Sequence, residues 1–196
     1  MQEEKRTRSN KSRTDATRAA LMKAARDLFS QKGYAETSTP EVVKAAGVTR
    51  GALYHHFEDK VDLFRAIVTE EYQKVAAEIT ASAKDDPKDA IDALRQGSRG
   101  FLAAMKDHGR VRIMLLDGPA VLGRAEIDRI DRETSADALR LGLEDAMEAK
   151  QMKTLPVQAL TVQLSALFDR SALAISEGED RDAHLEILDA IFETLA

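Results

Sequence analysis

The sequence predicts an all-α protein, and three observations carry that expectation. Apolar residues recur at intervals of three and four along most of the chain, Pro stands at only four of 196 positions, and no sustained period-2 run of β-branched residues is present. The length allows one ordinary domain or a small one joined to a larger one. The absence of Cys removes disulfides, thiolate metal sites and a cysteine nucleophile, and fits a reducing cytoplasmic setting. No segment approaches the ~18 uncharged apolar residues of a membrane span, and the opening MQEEKRTRSNKSR has no apolar core for a signal peptide. The expectation is a soluble protein with no membrane partner.

Residues 1–13 carry Lys5, Arg6, Arg8, Lys11 and Arg13 against Glu3 and Glu4, with no large apolar side chain after Met1, and are expected to form a flexible basic arm. A first helix follows, with its stripe at Leu21, Ala24, Ala25, Leu28 and Phe29 and its stop at Lys32-Gly33. Ser38 and Glu41 then have the S-x-x-E spacing of a capping box and Pro40 suits a first turn, so a short helix runs through Val42, Val43, Ala45 and Ala46 to Gly47. Thr49 is the predicted N-cap of a third helix, Arg50-Gly51-Ala52-Leu53-Tyr54-His55. From Asp59 a longer helix carries Leu63, Phe64, Ile67, Val68 and Tyr72 to the neighbourhood of Ser82.

Asp85-Asp86-Pro87 interrupts the pattern, and the next helix, with Ile91, Leu94, Phe101 and Leu102, is predicted to last until His108-Gly109, which makes His108 a C-terminal residue. Val111 to Leu116 form a compact apolar segment that Gly118-Pro119 is expected to close. A charged stretch through Arg132 leads to a helix with Leu139, Leu143, Ala146 and Met147. Two closing helices, 157–177 and 181–195, are the most apolar. A stripe that wide on a terminal helix needs a partner, so Leu160, Leu164, Leu167, Leu185, Leu188 and Phe192 are the predicted homodimer interface. Asp169-Arg170 lie mid-helix in this apolar setting, as interface ion pairs or as polar groups of a pocket.

Charge is divided unevenly. Residues 1–60 hold 12 basic and 8 acidic side chains, whereas the remainder hold 17 and 26, which gives the chain its net −5. One end therefore suits an anionic partner. A short capped helix, a one-glycine turn and a second short helix on that basic segment meet the requirements of a helix-turn-helix reader of double-stranded DNA. Its base-facing side chains would be Thr49, Arg50, Gly51, Ala52 and Tyr54, at the start of the second helix. The Arg50 fork matches the N7 and O6 acceptors of guanine, and small Gly51 and Ala52 let the helix approach base edges. Thr37, Ser38, Thr39, His55 and Lys60 suit phosphate. Phe57 is expected in the core, with His56 partly buried beside a hydrogen-bond partner.

The stretch Gly33-Tyr34-Ala35-Glu36-Thr37-Ser38, followed by Val42-Val43-Lys44-Ala45-Ala46-Gly47-Val48-Thr49-Arg50-Gly51-Ala52-Leu53-Tyr54-His55-His56-Phe57-Glu58-Asp59-Lys60 and then Leu63-Phe64, closely resembles the DNA-binding domain of the TetR family of bacterial transcriptional repressors. The resemblance runs over roughly residues 14–72 without an evident gap. It implies a three-helix, homeodomain-like DNA-binding domain at residues 14–60 and a larger helical domain at 61–196 that dimerises and binds a small-molecule inducer. Carried over by position, Thr49, Arg50, Gly51, Ala52 and Tyr54 face bases, and Thr37, Ser38, Thr39, His55 and Lys60 face the backbone. Pro40 stands where some members have a basic side chain that touches DNA, which places more of the specificity on Arg50 and its neighbours.

An inducer pocket should lie among the later helices, with Phe101, Met105, His108, Met114, Asp117, Leu143, Met147 and Phe168 as candidate linings. The function so implied is that of a repressor bound as a homodimer to a palindromic operator and released by an inducer, with neither cofactor nor metal. The alternative is an architectural or cell-cycle DNA-binding protein on the same scaffold without an inducer, for which a filled core would speak. The four histidines show no H-E-x-x-H spacing, and no G-x-S-x-G or phosphate loop is present, so no enzyme is expected.

Overall fold

The computed structural model describes residues 2–82 and 87–196, with side chains from residue 13 onward. Among the described residues the secondary structure is helical and contains no strand. The order is α1 (Gln2–Lys32), α2 (Thr39–Ala45), α3 (Arg50–His56), α4 (Lys60–Ser82), α5 (Ala90–Ala104), α6 (His108–Val111), a π-helical turn (Arg112–Asp117), α7 (Gly118–Leu122), α8 (Arg124–Arg132), α9 (Ser135–Glu148), α10 (Val157–Ser176) and α11 (Arg181–Leu195). These form two compact units, Met1–Val68 and Thr69–Ala196. The expected break at Asp85-Asp86 lies outside the described residues.

In the first unit, α1, α2, α3 and the first turns of α4 enclose Phe29, whose ring meets Phe64 edge-on at 5.2 Å and Tyr34 at 5.7 Å. Leu21, Leu53, Leu63 and Phe64 are fully buried around it. The boundary expected at residue 60 therefore moves to Val68, because Leu63, Phe64 and Ile67 are core residues of this unit. The segment expected as an arm also differs: α1 is helical from Gln2. Gln, Glu, Lys and Arg are good helix formers, so a helix anchored by its C-terminal half extends through them.

In the second unit α5 packs against α9, α10 and α11, and α9 packs against α10. The Gln151 side chain accepts the Ala90 N–H at 2.9 Å at the start of α5. Arg99 pairs with Asp189 at 2.6 Å and Arg95 with Glu193 at 2.8 Å, which ties α5 to α11. Lys153 closes the end of α11, its Nζ donating to the Thr194 carbonyl at 2.7 Å and its N–H to that of Leu195 at 2.9 Å. Arg110 is buried: its Nε donates to Glu71 at 2.9 Å, one terminal nitrogen to the Ala104 carbonyl at 2.7 Å and the other to Glu78 at 2.9 Å.

Three expectations are corrected here. His108 opens a helix instead of ending one: α5 stops at Ala104, and Asp107 caps α6 by accepting from the Gly109 N–H at 2.8 Å. Gly118-Pro119 does not close the apolar segment, because the chain widens into a π turn in which the Gly118 N–H reaches back to Ile113, and α7 continues from there. A wider turn relieves the clash that a proline ring makes with the preceding turn of an α-helix. The predicted dimer stripe turns inward: Leu164, Leu188 and Phe192 are buried within the chain itself, and Leu160, Leu167 and Leu185 are half-buried. The most apolar face of each closing helix covers its own core, which leaves Val162 (54% exposed) and Ile187 (59%) on the outer faces, beside exposed Ala159, Ala166, Ala183 and Ala190.

Candidate nucleic-acid interface and ligand cavity

The two short helices are fixed by local chemistry. The Glu41 carboxylate accepts from the Ser38 N–H at 2.9 Å and the Ser38 hydroxyl at 2.7 Å, and also holds Lys32 at the end of α1. The Lys32 hydrogen bond, followed by those from Ser38, draws the Glu41 carboxyl down to about 2. At the C-terminus of α2, Gly47 takes φ +66°, a left-handed value that favours glycine, and the Val48 N–H returns to the Val43 carbonyl at 3.0 Å. The chain thus reverses in one residue, and Thr49 starts α3 by accepting the Ala52 N–H at 3.2 Å.

Thr49, Arg50, Gly51, Tyr54 and His55 are exposed, with Ala52 half-buried, while Leu53 and Phe57 anchor the same segment in the core. The Arg50 guanidinium lies 5.4 Å from the centre of the Tyr54 ring, one turn on. The Tyr54 ring thus helps to pre-position the guanidinium. Lys60 stands at the start of α4 with its ammonium 3.9 Å above the Tyr34 ring. Ser38 is exposed and Thr39 half-buried at the start of α2.

Thr37 departs from this surface. It is only 1% exposed, and its hydroxyl donates to the Gly33 carbonyl at 2.8 Å, which secures the chain after α1 and leaves no group to offer to phosphate. His56 is half-buried next to Phe57 and His55 and, contrary to expectation, finds no hydrogen-bond partner among the described residues. Burial first, then the like charges of His55 and Arg18, holds its pKa below the usual histidine value.

The second unit contains a cavity of about 200 Å³ whose wall draws on α4, α5, α8, α9 and α10. Of the eight candidate linings only Phe101 and Phe168 face it, with ring centres 5.5 Å apart. Met105, Met114 and Leu143 are buried in the core, His108 is exposed, and Asp117 and Met147 are half-buried away from the wall. Two carboxylates, Asp131 and Asp169, also line it. This places Asp169 in a pocket, whereas Arg170 is exposed.

Asp131 accepts from the Ser135 hydroxyl at 2.7 Å, but Asp169 makes no hydrogen bond or ion pair among the described residues. Loss of solvation raises both carboxyls, Asp169 to about 7 with a further push from Asp131. The Tyr72 phenol, 3% exposed, is raised by burial and by Asp169. Asp131 and Ser135 carried no sequence signal, because their neighbours in the wall come from helices distant in the chain. Among the described residues no group of three or more His, Asp or Glu could hold a metal ion, and no helix is long and apolar enough to cross a membrane.

Residues 21–67 match the family model of bacterial regulatory proteins of the tetR family, and residues 91–196 match the tetracyclin repressor-like C-terminal domain. A 60-residue stretch is 52% identical to the HTH-type transcriptional regulator AcrR of Shigella flexneri, an alignment that spans 31% of this chain and 28% of that protein. The Transposon Tn10 TetC protein of Escherichia coli is 27% identical over 158 residues, 81% of this chain and 79% of TetC. A solved tetR-family transcriptional regulator from Pectobacterium atrosepticum is 32% identical, with a TM-score of 0.73 over 94% of each chain.

Proposed function

The chain belongs to the tetR family of bacterial regulatory proteins, whose members bind DNA to control transcription, and on that basis we propose that it is a ligand-responsive repressor that holds a palindromic operator as a homodimer. The observation that carries this reading is the exposed start of α3, where Thr49, Arg50, Gly51 and Tyr54 project beside a one-residue turn while Leu53 and Phe57 fix the helix from below. Arg50, held over the Tyr54 ring, reads a guanine edge; Thr49, Gly51, Ala52 and Tyr54 complete the base contacts. Ser38, Thr39, His55 and Lys60 hold phosphate and set register. Thr37 contributes only through the turn it braces.

Repression by a dimer requires two α3 helices about 34–36 Å apart to meet successive major grooves. The outer faces of α10 and α11, with Val162 and Ile187, are the surfaces that would pair. A ligand in the cavity of the second unit would favour a state with a different spacing and weaken DNA binding by its differential affinity, about 1–3 kcal/mol. The cavity of about 200 Å³ favours this reading over an architectural protein with a filled core.

The test is retention of chromosomal fragments by the purified protein, followed by fluorescence anisotropy on the fragment recovered. Arg50→Ala and Tyr54→Ala should each weaken specific binding by about 1–3 kcal/mol, roughly ten- to a hundredfold, while circular dichroism stays helical. Full affinity in either variant, or retention of random fragments alone, sinks the proposal.

A further inference from the structure

We propose that the cavity of the second unit takes a small organic cation, with its charged nitrogen against Asp131 and Asp169 and a flat apolar body beside Phe101 and Phe168; this rests on the reading of that cavity as the ligand site of a regulator. Asp131 and Asp169 are carboxylates, and no Lys, Arg or His lines the cavity. The positive group that acts on Asp169, Arg124, is engaged with Asp128 at 2.9 Å. Ser135 satisfies part of Asp131, whereas nothing among the described residues satisfies Asp169. A half-buried carboxylate without a partner is costly, and a cation entering the cavity supplies what the protein withholds. An anionic ligand would meet two like charges. The tilted pair of phenylalanine rings adds faces that attract a cation and pack against an aromatic body.

The electrostatics of the wall support the same geometry. Burial, then the charge of Asp131, pushes the Asp169 carboxyl up to about 7, and the groups that face it are Tyr72 of α4 and Arg124, Asp128 and Asp131 from α8 and its start. Only Arg124 among them is positive, so the ionised pair forms most fully when a cation is bound. A permanently charged ligand should therefore bind more tightly as the pH rises from about 6 to about 8, and should release a proton on binding.

Calorimetric titration of the full chain with phenyltrimethylammonium and with its neutral isostere tert-butylbenzene separates charge from shape. The cation is expected to bind at least about tenfold more tightly than the isostere at the upper pH, and to lose that advantage on acidification. Asp169→Asn should remove most of the preference for the cation over tert-butylbenzene, with Asp131→Asn as a second variant and melting curves confirming that both fold. The comparison of the two ligands on the unaltered protein stands even if a variant misfolds. Absent cation binding, equal affinities, or an undiminished preference in a folded Asp169→Asn overturns the proposal. Fragment retention on the same preparations separates the two readings: a protein that prefers the cation but holds no specific DNA defeats the regulator alone. One that holds its operator but shows no charge preference defeats the cation site alone.

Discussion

Asp169 gives the protein a pH dependence opposite in sign to ordinary acid denaturation. Its carboxyl has an ordinary value of 3.8 and stands at about 7 in the folded chain, chiefly through burial. Between those values the unfolded state has released its proton and the folded state has not, so this residue's contribution to stability falls as the pH rises. Replacing it by Asn should stabilise the protein by about 1–3 kcal/mol above neutrality and have little effect near pH 4, a difference that urea unfolding at the two pH values measures directly. An unchanged midpoint at high pH would show the group to be hydrated in place. The contrast with Glu41 is instructive, since Lys32 and Ser38 hold that carboxyl ionised. Glu41 was legible in the sequence because its partner Ser38 is three residues away. The role of Thr37 was not, since a hydroxyl turned to the Gly33 carbonyl leaves no mark in local spacing, and for Asp169 the sequence left a pocket and an interface both open because the wall is assembled from five helices.

Among the elements, the second half of α4 is held to α6 by one side chain. Arg110→Met would leave Glu71, only 1% exposed, without its strongest partner, although Lys74 remains 3.2 Å away. The expected loss is about 3–5 kcal/mol by chemical denaturation, and Glu71→Leu in the same chain should recover part of it. A normal midpoint for the single variant would mean that the Arg110–Glu71 pair adds nothing to the packing of α4 against α6. Packing of α5 against α4 is equally specific: a Cβ on Gly100 would lie 3.2 Å from Ile79 Cα, so Gly100→Ala should lower the melting temperature by the equivalent of about 1–3 kcal/mol despite its better helix propensity. The capped helices were legible because Ser38, Thr49 and Asp59 precede them with the right spacing. His108 and Pro119 misled because glycine and proline after an apolar run punctuate helices in general. Here Asp107 restarts the chain and a π turn carries it past the proline.

At the scale of the whole molecule, the charge division and the outer helix faces lead to separate measurements. A basic first unit on an acidic chain should give operator affinity that falls steeply with salt, the slope of log affinity diminishing by about 1 when Lys60 becomes Ala. Val162→Glu with Ile187→Glu should convert a dimer to monomers by analytical ultracentrifugation and weaken operator binding while leaving melting nearly intact, since both residues are exposed in the single chain. Persistent dimers would move the interface elsewhere. The sequence pattern marked the inner faces of the two closing helices, because the strongest apolar periodicity follows the surface each helix buries against its own chain.

The wall of the cavity has two glycines that differ in what they permit. On Gly97 an added methyl would meet only Ile79, at 4.0 Å, whereas on Gly142 it would press to 2.9 Å from Leu94. Mid-helix Ala is favoured over Gly by about 1 kcal/mol, so Gly97→Ala should shrink the cavity while leaving the protein as stable or more so. Position 97 is therefore one where an added methyl narrows the chamber without displacing a neighbour, whereas at position 142 the Leu94 side chain has to move aside to admit it. The chamber can be reshaped most simply from its α5 side.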